Sequence, residues 1–197
     1  MPENRFLAHI IPPLVRPNIW SLRRYPFYFL HGPILGDNDW QSGLNKLLAA
    51  SSPCVIANLA AYHIGHAAFG QCLDGPSDFT SQLAWERHYM LRAAEDAPRG
   101  ALVFWLPRAS VADLMRDGNH YALHTLGEWR GHLVRDSSLR VVVGVQDGFP
   151  SSDMIRESFR LALGDSFPVY HTLDDVVRAA IHMASSQERE NYASARC

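Results

Sequence analysis

Five short apolar runs punctuate the chain: Pro26–Leu30 (PFYFL), Cys54–Leu59 (CVIANL), Ala101–Leu106 (ALVFWL), Leu139–Val145 (LRVVVGV) and Phe167–Tyr170. Two of them are almost continuously apolar, the pattern of strands covered on both faces. Between the runs the period changes. Asn38–Ala50 sets Trp40, Leu44, Leu47 and Leu48 at helical spacing, and Thr80–Ala97 puts Leu83, Met90, Leu91 and Ala94 on one face before Pro98 and Gly100 stop it. Ser151–Leu163 reads as another helix, and Thr172 caps one that runs to about Ser185. Strands alternating with helices predict an α/β fold: a single flavodoxin-like, doubly wound parallel sheet of five strands in the order 2-1-3-4-5, with helices on both faces. Ligands of such sheets bind beyond the carboxyl ends of the strands, which directs attention to loops 31–39, 58–79 and 107–127.

Residues 1–24 hold Pro2, Pro12, Pro13 and Pro17 with no sustained period, so they read as an extended N-terminal arm of the kind that packs on a neighbouring subunit. Residues 25–185 form the α/β domain, and 186–197 a polar, frayed C-terminal tail. The Ala-, His- and Gly-rich stretch from Ala60 to about Ser77 reads as a long loop suited to a substrate lid, and Pro107–His124 as a second polar loop.

The 197 residues, 47% of them hydrophobic, suffice for a self-supporting core. Eighteen basic against 20 acidic residues leave a net charge of −2, without the basic excess that a polymeric nucleic acid partner requires. Cys54, Cys72 and Cys197 show neither a paired framework nor a zinc spacing, which fits a reducing cytoplasm. No apolar stretch reaches membrane-spanning length, and the early prolines interrupt any signal segment. His63 with His66 and His120 with His124 lack a matching third ligand, so neither a metal nor another cofactor is expected.

Three features gather at the ligand-binding edge. His31-Gly32-Pro33-Ile34-Leu35-Gly36-Asp37 follows the first strand, and its small residues would let a ligand approach the backbone, although it also reads as an ordinary turn. It matches neither the dinucleotide fingerprint GxGxxG nor the Walker loop. Gln82-Leu-Ala-Trp85-Glu86 puts a carboxylate beside an aromatic ring. Desolvation there favours the protonated form that a general acid needs, or the carboxylate could hydrogen-bond a heterocycle; the alternative is an exposed helical glutamate. Glu128 ends Thr125-Leu-Gly127-Glu128, a box that opens helices. The amides of a helix start keep a carboxylate ionised for nucleophilic attack, or the glutamate simply reaches back to cap the helix. No GxSxG elbow supports serine hydrolase chemistry.

The order FLHGPILGDNDW, SQLAWERHYMLRAA, ALVFWLPR, TLGEWRGHL, RVVVGVQDGF resembles the nucleoside 2-deoxyribosyltransferase-like family over residues 26 to about 150. The carrying motifs are a GP loop followed by Trp, QxxWE on a helix, FWxPR on a strand and a Glu opening the next helix. The resemblance implies retaining cleavage of the N-glycosidic bond of a nucleoside or nucleotide. Glu128 would be the nucleophile that takes the sugar, and Glu86 the acid that holds or protonates the base. It also implies substrate contacts from His31, Gly32, Pro33, Gly36, Asp37, Trp40, Gln82, Trp85, Pro107, Thr125 and Gly127. Two carboxylates in these roles stand ~5 Å apart. The implied partners are a small-molecule nucleoside or nucleotide and a second copy of the chain in a homo-oligomer, not a membrane. The sugar passes to another base or to water. A non-catalytic nucleotide-binding or sensor module on the same fold is the alternative, and an NAD glycohydrolase a further one.

Overall fold

The computed structural model describes residues 8–11, 19–33, 39–62, 79–96, 99–117 and 140–194. All its strands run parallel in one sheet. In chain order they are β1 (Ala8–Ile11), β2 (Phe27–His31), β3 (Cys54–Asn58), β4 (Gly100–Leu106), β5 (Val141–Val145) and β6 (Val169–Tyr170), arranged β1-β3-β2-β4-β5-β6. Among the described residues the α-helices are α1 (Ile19–Arg24), α2 (Trp40–Ser51), α3 (Phe79–Leu91), α4 (Val111–Asp117), α5 (Ser152–Leu163) and α6 (Leu173–Ser194). The five strands expected from the apolar runs take the expected 2-1-3-4-5 order, and β1 adds a sixth at the β3 edge.

Part of the arm is thus built into the sheet: Ala8 pairs with Cys54 and Ile11 with Ala57. Its Ile10 and Ile11 favour extended backbone, and pairing removes β3 from the exposed sheet edge. Pro12 and Pro13, which bring no backbone donor, follow the end of this strand.

Strand side chains alternate between two apolar clusters. Phe27, Phe29, Val55, Ala57, Leu102, Phe104, Val141 and Val143 join Leu22 of α1, Trp85, Tyr89 and Met90 of α3, and Phe159 of α5. Tyr28, Leu30, Ile56, Val103, Trp105 and Val142 join Trp40, Leu44 and Leu48 of α2 and Val176, Val177 and Ala180 of α6. The two sets of strand side chains therefore have different helical partners. Each fully buried Phe, Leu or Ile is worth about 1.5–3 kcal/mol. Burial also pushes the Cys54 thiol up to about 12, which makes it an inert core residue.

Three local outcomes differ from the expectation. The loop expected from Pro107 contains α4, opened by a box in which Ser110 Oγ accepts from the Asp113 N–H (3.0 Å) and the Ser110 N–H donates to Asp113 Oδ2 (3.1 Å). After Leu91 the long central helix widens into a π turn, Arg92–Asp96, and the Ala94 carbonyl accepts from both the backbone N–H and Nε of Arg140 at the entry to β5. α6, expected to end at about Ser185, continues to Ser194, through a run of Gln, Glu, Arg and Ala with no Gly or Pro to stop it. No helix among the described residues is long and apolar enough to cross a membrane.

Beyond the end of β5, Arg156 of α5 reaches back to the sheet. Its Nη2 donates to the Val145 carbonyl (2.7 Å) and to Asp147 (2.5 Å), and its Nη1 to Asp153 (3.0 Å). His171, just past β6, places Nδ1 3.2 Å from Asp147 Oδ1. The hydrogen bond from Arg156, and then that from His171, hold the Asp147 carboxyl below the ordinary aspartate range. Its contribution to stability is therefore present above the unfolded-state pKa and lost as pH falls through the folded-state value. Urea midpoints followed from about pH 5 to pH 2 should fall less steeply for Asp147→Asn than for the wild type. Parallel curves would show that this cluster does not tie β5, α5 and β6 together.

Candidate functional site

The connection from β2 leads to β3 on one side, and that from β3 leads back across β2 to β4 on the other. The chain thus changes direction between β2 and β4, and their carboxyl ends flank the crevice where sheets of this kind take ligands. His31 closes β2 there, paired in register with Phe104 of β4. Its buried imidazole stacks on the Phe104 ring at 4.8 Å and 24°.

Gly32 follows at a point of very close approach. A Cβ there would run into the Trp105 backbone carbonyl and stand 2.6 Å from Cζ2 of Trp40. The Pro33 carbonyl then accepts two hydrogen bonds, from Trp40 Nε1 and from Gln41 Nε2, each 2.9 Å. Both donors are buried. The room that Gly32 leaves at the crevice is thus taken by the protein's own Trp105 carbonyl and Trp40 ring, and Trp40 serves to hold the loop. Asp39 starts α2 by accepting from the Ser42 N–H (3.1 Å), and the bonds from Trp40 and Gln41 tie the start of that helix to Pro33.

α3 runs antiparallel to β2. Tyr89 meets Phe27 edge-on at 6.3 Å, and one turn earlier Trp85 meets Phe29 at 6.0 Å, while Phe29 lies 6.3 Å from His31. Trp85 and its neighbour Glu86 therefore lie toward the carboxyl edge, with Trp85 on the face that His31 occupies. Glu86 is 7% exposed, unlike an ordinary helical surface glutamate. The backbone of Gln82 precedes it by one helical turn, about 6 Å nearer that edge. On the neighbouring strand, buried Pro107 directly follows the end of β4.

The structure places His31, Gly32, Pro33, Trp40 and Pro107 at one edge, with Trp85 packed on Phe29 of β2 and Glu86 buried next to it in the chain. Gly36, Asp37, Thr125, Gly127 and Glu128 lie outside the described residues, as do His63, His66, His120 and His124. Three further residues belong to this edge. Gln41 holds Pro33, and the buried Asn58 ends β3 with Oδ1 accepting from the Ala60 N–H (2.9 Å). Arg108 follows Pro107, its backbone N–H donating to Gln146 Oε1 (2.9 Å). The Arg of the FWLPR motif was the available signal for Arg108; the other two emerge only from tertiary contacts. Among the described residues no cluster of His, Cys, Asp or Glu could hold a metal ion.

Compared with models of known protein families and with curated protein sequences, the chain matches none. The chemistry of this edge must be argued from its own residues.

Because a Cβ at residue 32 has no room against a backbone oxygen, Gly32→Ala should destabilise the fold by about 1–3 kcal/mol. Urea denaturation measures this directly, and a stability within about 0.5 kcal/mol of wild type would contradict the close packing described.

Proposed function

We propose that the chain cleaves the N-glycosidic bond of a nucleoside or nucleotide, as a member of the nucleoside 2-deoxyribosyltransferase-like group. The observation that carries the reading is the burial of both Trp85 and Glu86 on α3, where Trp85 packs on Phe29 of β2. A glutamate removed from water suits the task of meeting a departing heterocycle. The order of the surrounding motifs supplies the second carboxylate, Glu128.

In this mechanism the Glu128 carboxylate attacks the anomeric carbon as the bond to the base nitrogen breaks. The electron pair of that bond leaves with the base, which takes its proton from Glu86. In a second displacement a nitrogen of another base, or water, attacks the anomeric carbon as its proton passes to the Glu86 carboxylate; the bond to Glu128 breaks and the starting configuration returns. Exclusion of water strengthens the electrostatic stabilisation of the oxocarbenium-like transition state.

The test is incubation of the purified protein with ribo- and 2′-deoxyribonucleosides, their monophosphates and NAD, with and without an acceptor base, following free base by chromatography. Wild type should release base. Glu128→Gln should abolish turnover, and Glu86→Gln should lower it on the order of 10²–10⁴-fold, both with unchanged circular dichroism. An active Glu128→Gln variant would overturn the mechanism. Silence across the panel with nucleotide binding intact would favour a sensor module.

A further inference from the structure

Two guanidinium groups stand at the carboxyl edge near β4 and β5, in opposite electrostatic circumstances. Arg156 is buried, and its charge is met by Asp147 and Asp153. Arg108 is exposed, and among the described residues no carboxylate pairs with it. The acids nearest in sequence to its anchors are already engaged: Asp147 with Arg156 and His171, Asp113 in the cap of α4.

The Arg108 backbone is anchored and its stem lies over a glycine. Gln146 fixes its backbone, and its stem lies across Gly148, where a Cβ would stand 2.7 Å from Nε and 3.1 Å from Cγ. Gly148 has a φ of +88°, so that position favours glycine by conformation. A guanidinium fork presented to solvent matches the oxygens of a phosphate. Its place matters too. Arg108 lies over the β4–β5 end, one strand beyond the β2–β4 crevice, and a ligand reaching from β2 to β5 crosses two strand spacings, about 10 Å.

We propose that Arg108 binds the phosphate of a nucleoside 5′-monophosphate, making the phosphorylated nucleotide the substrate in preference to the free nucleoside. This rests on the reading above, in which the crevice holds the sugar and base.

The experiment measures, on the full chain, calorimetric affinity for a nucleoside and for its 5′-monophosphate, together with base release from each, for wild type, Arg108→Ala and Arg108→Lys. The monophosphate should bind at least 10-fold more tightly than the nucleoside. Arg108→Ala should lose roughly 10- to 100-fold of monophosphate affinity, bringing the two ligands together, while Arg108→Lys keeps part of the advantage. Equal wild-type affinities, or a preference that survives Arg108→Ala, would overturn the assignment. An Arg108-dependent preference without base release would sink the glycosidic chemistry and uphold phosphate recognition. Base release at the same kcat/KM from both forms would sink the phosphate assignment alone.

Discussion

The carboxyl end of β2 is locked by the absence of a side chain. Gly32 lets its backbone close onto the Trp105 carbonyl and the Trp40 ring, and the next carbonyl, that of Pro33, takes hydrogen bonds from Trp40 and Gln41. A carbonyl leaving a sheet must find donors outside the ladder, and here α2 supplies both from adjacent residues. The consequences spread in two directions. The start of α2 is pinned to the loop it follows, and His31 is left in strand conformation with its ring on Phe104. The crevice between β2 and β4 thus has a rigid floor, which suits chemistry that depends on placing an anomeric carbon within bonding distance of a carboxylate.

Around that floor, polar groups are distributed by face. His31 shares its side of the sheet with Trp85, which is flanked by the buried Glu86, whereas Trp40 and Trp105 belong to the opposite cluster. Charge is divided along the edge as well: Arg156 is neutralised where it ties α5 to β5, and Arg108 stays exposed where β4 ends. One guanidinium serves the fold, and the other is open to a ligand.

Much of this architecture was legible because strands buried on both faces read as unbroken apolar runs, and PFYFL, CVIANL, ALVFWL and the VVVGV run all became strands. The four-residue β1 was not, since AHII is short, flanked by prolines, and finds its partner some 46 positions away at Cys54–Ala57. α4 was read as loop although Ser110-Val-Ala-Asp113 carries its capping box; the polar residues around it concealed the start. At the site, Glu86 was legible as a carboxylate beside an aromatic, but its burial is a product of tertiary packing. Gln41 escaped notice because its role depends on Pro33, a contact that local patterning does not encode, whereas Arg108 stood in the FWLPR motif without its contacts to Gln146 and Gly148 being legible.

The central claim is a sugar carried covalently by Glu128 at this edge, and mass spectrometry of a trapped intermediate tests it most directly. A 2-deoxy-2-fluoro nucleoside or its monophosphate, whose fluorine slows the second displacement, should leave a fluorinated sugar on the peptide containing Glu128 as base is released. Base released with no sugar on that peptide, or with the sugar on another residue, would contradict the account.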